Sequence, residues 1–203
     1  MGNQSSLTKS PHRIYVVGPS STGKTTLCDR LAEVLHLDRG TTYISEVARK
    51  VIAAKKYTRK DVYSLKMQED IMAAQLNHDA ESRGVYPLQV FDRSSLDPLV
   101  YAKLTGVDEA DGAKRMEELE TDPRLQEELV AYRGNNVTFV LLTPVQGWLV
   151  DDGTRHMQDQ ERTRDIFKET LSRLEIPFVE IGEDEKDSEA RVALVLNAAG
   201  INS

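Results

Sequence analysis

Apolar residues fall along the chain in five short β-prone runs, about 14 to 17, 41 to 45, 88 to 91, 137 to 142 and 177 to 181. Unbroken runs such as Ile14-Tyr15-Val16-Val17 suit parallel strands buried on both faces. Between the runs, apolar residues return at helical spacing: Leu27, Leu31, Val34 and Leu35, then Leu65, Met72, Leu76 and Ala80. Phe167, Leu171 and Leu174 follow, and Val192, Val195, Leu196 and Ala199 close the series. Each interval is long enough for a crossover helix, so the pattern predicts an α/β fold of three layers around a five-stranded parallel sheet. Thr58 and Asp61 form a capping-box start for a helix ending near Arg83-Gly84. Pro123 opens a second helix after Thr121-Asp122, and Asp187 or Ser188 caps the last one. No internal repeat or low-complexity linker interrupts the pattern. The organisation expected is a flexible leader, 1–12, and one domain, 13–203.

Polar residues become informative where the first strand ends. Gly18-Pro19-Ser20-Ser21-Thr22-Gly23-Lys24-Thr25 matches G-x-x-x-x-G-K-[ST], with Thr26 next and a helical pattern behind it. Glycines let the backbone curl until several N–H groups point inward, and the following helix adds the positive end of its dipole. Lys24 then reaches the β/γ-phosphates of a nucleoside triphosphate, and the Thr25 hydroxyl can ligate Mg2+. Gly18, Ser20, Ser21, Thr22, Gly23, Lys24, Thr25 and Thr26 are the residues expected to hold the phosphates.

Three further stretches close on charged residues. Ligands of parallel sheets gather at the carboxyl ends of the strands. Glu46 ends the second run there, and Arg49 follows one helical turn later; a plain surface ion pair fits the two equally well. Leu88 to Phe91 closes on Asp92-Arg93, resembling a Walker B carboxylate that holds the magnesium shell, with an arginine fork beside it. Past the fourth run, Arg155 and Arg162 stand seven apart and can project from one helix face as a lid over reacting phosphates. Asp159, Glu161 and Asp165 offer them, and Arg164, ion pairs instead. Gln68 and Gln75 on the long helix can face a ligand, though as isolated residues they read as solvated. Asp108 to Glu128 reads as a solvated acidic helical pair. Arg191 is a positional candidate for an adenine pocket.

Composition narrows the partners. The net charge of −7 argues against non-specific nucleic-acid binding, which needs Lys and Arg to neutralise phosphates. A small anionic ligand needs only a local positive cluster. Cys28 is the single cysteine, so no intrachain disulfide forms; it reads as a helix packing residue. Without a long apolar run or secretory leader, a cytoplasmic protein is expected. Met1-Gly2-Asn3-Gln4-Ser5-Ser6 fits the N-myristoylation signal M-G-x-x-x-[ST], which would add weak membrane association through Gly2.

Taken in order, G-P-S-S-T-G-K-T, I-S-E-V-A-R at 44 to 49, the long helix with Gln75, F-D-R-S-S-L-D at 91 to 97 and D-D-G-T-R with a following Arg resemble one family. It is the P-loop kinase-like, AAA-type family that includes the ribosylnicotinamide kinase domain of bacterial NAD-regulator proteins; deoxynucleoside kinases are similar more distantly. The resemblance spans Arg13 to Ala199. It implies a nucleoside- or nucleotide-kinase-like P-loop fold with an arginine-bearing lid, in which the Asp92 strand neighbours the phosphate-loop strand. It also implies ATP with Mg2+, transfer of the γ-phosphoryl group to a small hydroxyl acceptor, and substrate contacts at Glu46, Arg49, Gln75 and Arg93. No N-K-x-D guanine signature occurs, which favours ATP. Lys24, Glu46, Asp92, Arg155 and Arg162 are then the catalytic set, with Thr25 and Asp92 on the metal; either Glu46 or Asp92 is the base. The rival reading is a nucleotide-dependent switch that controls a partner. The sequence identifies neither the acceptor nor the oligomeric state.

Overall fold

The computed structural model describes residues 11–145, 147–148 and 157–201, with the side chains of all of these except 59 and 157–159. Gly2 and Arg155 lie outside the described residues.

All five expected strands form. They are β1 (His12–Val17), β2 (Tyr43–Ile44), β3 (Leu88–Asp92), β4 (Val137–Leu142) and β5 (Phe178–Ile181), ordered β2-β3-β1-β4-β5. Every pairing is parallel. Because β3 and β4 flank β1 on opposite sides, the chain reverses its direction of travel beside the first strand, which is where open α/β sheets form their crevice. Val16 pairs with Asp92, so the phosphate-loop strand and the Asp92 strand end side by side.

Alternation along β1 builds the layers. Ile14 and Val16 face a core completed by α1 (Lys24–Val34) and α8 (Ser188–Ala198), with Leu27, Leu31, Val195 and Leu196 buried there. Tyr15 and Val17 face the opposite core, against α3 (Leu65–Ser82), α4 (Asp97–Leu104), α5 (Glu109–Glu120), α6 (Pro123–Tyr132) and α7 (Met157–Arg173). Phe91, Tyr15 and Phe139 stack across three neighbouring strands, with centroids 4.5 and 4.9 Å apart. Each buried Leu or Phe in these layers contributes roughly 1.5–3 kcal/mol.

Several elements depart from the sequence reading. The capping box at Thr58 and Asp61 is present, but it heads a short 3-10 helix, Arg59–Tyr63. Extended backbone at Ser64 then restarts the chain as α3. Ala80 is exposed, whereas Gln68, Gln75 and Asp79 are buried among Met67, Ile71, Met72 and Leu76, so the inward face of α3 is half polar. Val34 faces outward. The acidic pair α5 and α6 is not wholly solvated, because Leu119, Leu125, Leu129 and Glu128 are buried. Asp187 caps α8 by accepting from the Ala190 N–H at 2.9 Å, and Cys28 is buried as a packing residue.

Candidate active site

The loop between β1 and α1 is shaped by two glycines. Gly18 has φ of +132°, and a Cβ there would lie 2.3 Å from the Leu142 carbonyl oxygen. Gly23 caps α1 with φ of 86°, in the left-handed region glycine tolerates. Inside the loop, the Thr22 hydroxyl donates to the Pro19 carbonyl at 3.0 Å. The Lys24 ammonium donates to that carbonyl and lies 3.4 Å from Thr22 Oγ1. Ser20 Oγ and Tyr101 Oη are 3.3 Å apart. Lys24 is buried, and desolvation, then the Arg93 charge, lower its pKa to about 7 against the pull of Asp97 and Asp92.

The exposed Thr25 side chain, one residue on, donates to Asp92 Oδ2 at 2.7 Å. A hydroxyl and a carboxylate brought together beside a lysine supply the hard oxygen donors that magnesium takes, with phosphate oxygens and water completing its shell. These two residues fit that ion.

Beyond Asp92 the chain turns sharply. Arg93 is held at φ of 88°, a strained value for a residue that carries a Cβ. Its guanidinium donates to Asp97 Oδ1 at 2.8 Å, and Asp97 Oδ2 accepts from the Ser94 N–H at 2.8 Å. Burial pushes the Asp97 carboxyl up, and Arg93 opposes that rise. Glu46 begins α2 (Val47–Lys55), also with positive φ, at 63°. Both of its carboxylate oxygens accept from Arg49 at 2.9 Å. Ile44 pairs with Phe91, so Glu46 follows a strand end adjacent to that of Asp92. Two non-glycine residues in left-handed backbone at neighbouring strand ends mark a site where geometry takes precedence over local stability.

On α3, Gln68 and Gln75 share a face with Met72 and are 4% and 3% exposed. Among the described residues, neither amide has a hydrogen-bonding partner. Because α3 runs back toward the start of β3, its first half lies toward the carboxyl edge of the sheet.

Arg162 is turned to Glu109 of α5, at 3.3 Å, and Arg164 pairs with Asp165 at 2.7 Å. Arg191 is buried on the other side of the phosphate loop. It donates to the carbonyls of Glu185 and Gly182 and lies 4.6 Å from the Trp148 ring centroid. These two side chains, with Gly23, Thr26, Ser188 and Lys186, line a pocket of about 260 Å³.

The structure therefore gathers the phosphate loop, Thr25, Lys24, Asp92 and Arg93 at the ends of β1 and β3, and sets the Glu46–Arg49 pair at the end of β2. Asp97, Tyr101 and Trp148 were missed by sequence reasoning. The i, i+4 spacing of Arg93 and Asp97 could have revealed that pair. Trp148 carried no local signal.

A sequence model of a family described as an AAA domain matches residues 13–191. Among curated proteins none matches. Among solved structures, NadR in complex with NAD and AMP-PNP superposes with a TM-score of 0.67 at 18% identity, covering 95% of this chain and 51% of that one. NadR in complex with NR gives the same score and identity over 52% of its length. This chain thus spans about half the length of the NadR chains it resembles. Deoxyadenosine kinase from M. mycoides, with products dCMP and dCDP, has a TM-score of 0.65 at 15% identity, covering 91% of this chain and 97% of that one. Thymidylate kinase from Ehrlichia chaffeensis has a TM-score of 0.58 at 18% identity, covering 93% and 98%. With the matching sequence model covering most of its length, the chain belongs to the AAA-domain family, and its fold is the P-loop kinase-like fold.

Proposed function

We propose that the protein is an ATP-dependent phosphotransferase that moves the γ-phosphoryl group to a hydroxyl of a small acceptor, a nucleoside or ribosylnicotinamide-like compound. The observation that carries this reading is the Thr25–Asp92 contact of 2.7 Å at two adjacent strand ends, with the strained Glu46 at the next one. One side of Asp92 offers the phosphate loop, and the other offers Arg93 and, one strand further, the Glu46–Arg49 pair.

In this mechanism the loop N–H groups and Lys24 bind and orient the triphosphate. Thr25 and Asp92 would hold magnesium, which would neutralise charge on the phosphate oxygens. Glu46 accepts the acceptor's proton at a carboxylate oxygen, and Arg93 fixes the acceptor's orientation. Asp92 is the other group placed to act as base. Arg49 holds Glu46, and the buried amides of Gln68 and Gln75 supply paired donors and acceptors for the acceptor's polar edge. Arg162 and Arg155 are assigned to the transferring phosphoryl group, for which Arg162 must leave Glu109. The pocket beside Trp148 and Arg191 receives the donor base, one face of which stacks on the indole. NadR and deoxyadenosine kinase, by their own described ligands, support a nucleoside-class acceptor and an ATP-type donor.

The test is a panel of nucleosides, including nicotinamide riboside, incubated with ATP and magnesium and read by ADP release and product mass. The reading predicts rapid ADP formation with at least one acceptor and little without it. ATP binding with no response to any acceptor would favour the nucleotide-dependent switch. The proposal extends to a weak membrane tether through acylated Gly2, with a partition constant on the order of 10⁴ M⁻¹. An unmodified Gly2 in the intact mass of protein from its native cell would end that part.

A further inference from the structure

Beneath the sheet, away from the phosphate loop, three charged side chains and two tyrosines are buried together. Asp79 lies at their centre. Its Oδ1 accepts from Tyr15 Oη at 2.6 Å, and its Oδ2 accepts from Tyr132 Oη at 2.9 Å. From β1, the Arg13 guanidinium donates to the Asp79 carbonyl at 2.8 Å and lies 3.8 Å from Oδ1. From α6, Glu128 lies 3.6 Å from Arg13 and pairs with Arg83. From α3, Ser82 Oγ is 3.3 Å from Arg13. Tyr132 continues the chain outward, because its hydroxyl is 2.8 Å from the Ser95 hydroxyl. Ser95 belongs to the turn that carries Asp92, Arg93 and Asp97.

Proton counting fixes the direction of these bonds. With Asp79 ionised, both tyrosines donate to it, so Tyr132 Oη must accept from Ser95. When Asp79 takes a proton, Oδ1 cannot carry it toward Tyr15, because Tyr15 Oη faces the Arg13 guanidinium at 3.4 Å and its own proton has nowhere else to point. The proton therefore sits on Oδ2 and points to Tyr132. Tyr132 must then donate to Ser95 Oγ, and the Ser95 proton turns away.

We infer that Asp79 and Tyr132 are positioning residues for the Asp92–Asp97 turn, and that protonation of Asp79 reverses the hydrogen bond between Tyr132 and Ser95. The step lies within reach of neutral pH: burial, then the Glu128 charge, raise Asp79 to about 7, against both tyrosine hydroxyls and Arg13. Glu128, also raised by burial, faces the Arg13 and Arg83 guanidinium groups, which oppose that rise. In its catalytic consequence the inference rests on the proposed kinase reading.

The test is a pH titration of the isotope-labelled full chain by NMR, following the Ser95 and Arg93 amides and the Asp79 carboxyl carbon. Wild type should show one shared step. Asp79→Asn places a permanent donor against Tyr132, so Ser95 should hold its low-pH shift with no step. Tyr132→Phe should keep the Asp79 carboxyl step and lose the Ser95 step, and Ser95→Ala should keep the carboxyl step in a variant that leaves the buried cluster whole. A Ser95 step that survives in Tyr132→Phe overturns the inference, as does a wild-type Ser95 that does not titrate. For an acceptor that turns over, kcat should carry the same step in wild type and lose it in Asp79→Asn, while KM for ATP is unchanged; a step in kcat that survives in Asp79→Asn overturns the positioning role. An acceptor panel without turnover strikes the kinase reading alone, since the Ser95 titration is independent of it.

Discussion

In the proposed mechanism the donor half depends on Lys24, whose protonation is its most measurable property. Its folded pKa of about 7, against about 10.4 for a free lysine, follows from burial first and the Arg93 charge second. A triphosphate beside the ammonium reverses that cost. ATP binding near about pH 8 should therefore take up close to one proton, and near about pH 6, where Lys24 already holds it, almost none. Calorimetry in two buffers of different ionisation enthalpy reads this directly; heats independent of buffer at the higher pH would contradict it. Asp79 gives the opposite sign in stability. Between its unfolded value of 3.8 and about 7 the folded state binds the extra proton, so its contribution to stability falls as pH rises through that window. Asp79→Asn removes that term. The difference in Tm between wild type and variant should accordingly move in the variant's favour from about pH 4 to about pH 7.

At the scale of elements, the proposed acceptor site draws on α3. Its inward stripe of Gln68, Met72, Gln75 and Asp79 places amides where a packing helix would place leucine. Gln75→Leu should raise the acceptor KM about ten-fold, the cost of one buried hydrogen bond of about 1.4 kcal/mol, while leaving ATP affinity unchanged. An unchanged acceptor KM would remove α3 from the pocket. The segment after β4 offers a second reading. Trp148, the only tryptophan, lies against Gly23 and Arg191, so its emission should shift on nucleotide binding and saturate with it. Emission blind to bound nucleotide would place the base elsewhere.

These elements also show what the sequence could reveal. The strands were legible because continuous apolar runs have few alternatives, and the phosphate loop because its glycines are demanded by positive φ and by close approach to Leu142. The buried glutamines were not legible. Periodicity assigns polar residues to water unless something across the fold is known to face them, as Tyr15 of β1 and Tyr132 of α6, distant in sequence, face Asp79. Ala80 failed for the same reason in reverse. The break at Ser64 was hidden because a capping box signals a helical start without specifying whether the turn that follows is α or 3-10. The Arg93–Asp97 pair lay within local reach, yet Arg93 was assigned to substrate and its partner went unsought.

At the scale of the whole molecule, strand order does the organising. Placing β1 between β3 and β4 brings the Walker-type lysine and threonine to the same edge as Asp92, and β2 adds Glu46 one strand further on. The chain is acidic overall, and in the proposed donor site Lys24 and the loop N–H groups supply the local positive charge for a triphosphate, while Arg93 and Arg49 are paired with Asp97 and Glu46. Among the described residues no helix is long and apolar enough to cross a membrane. In the proposed function the donor and acceptor halves meet at Asp92. The most direct test is the ratio of phosphorylated acceptor to ADP in wild type and in Asp92→Asn. One product molecule per ADP is expected in wild type and loss of both together in the variant; ADP formed without phosphorylated product, at the same rate with and without acceptor, would rule out a shared site at Asp92.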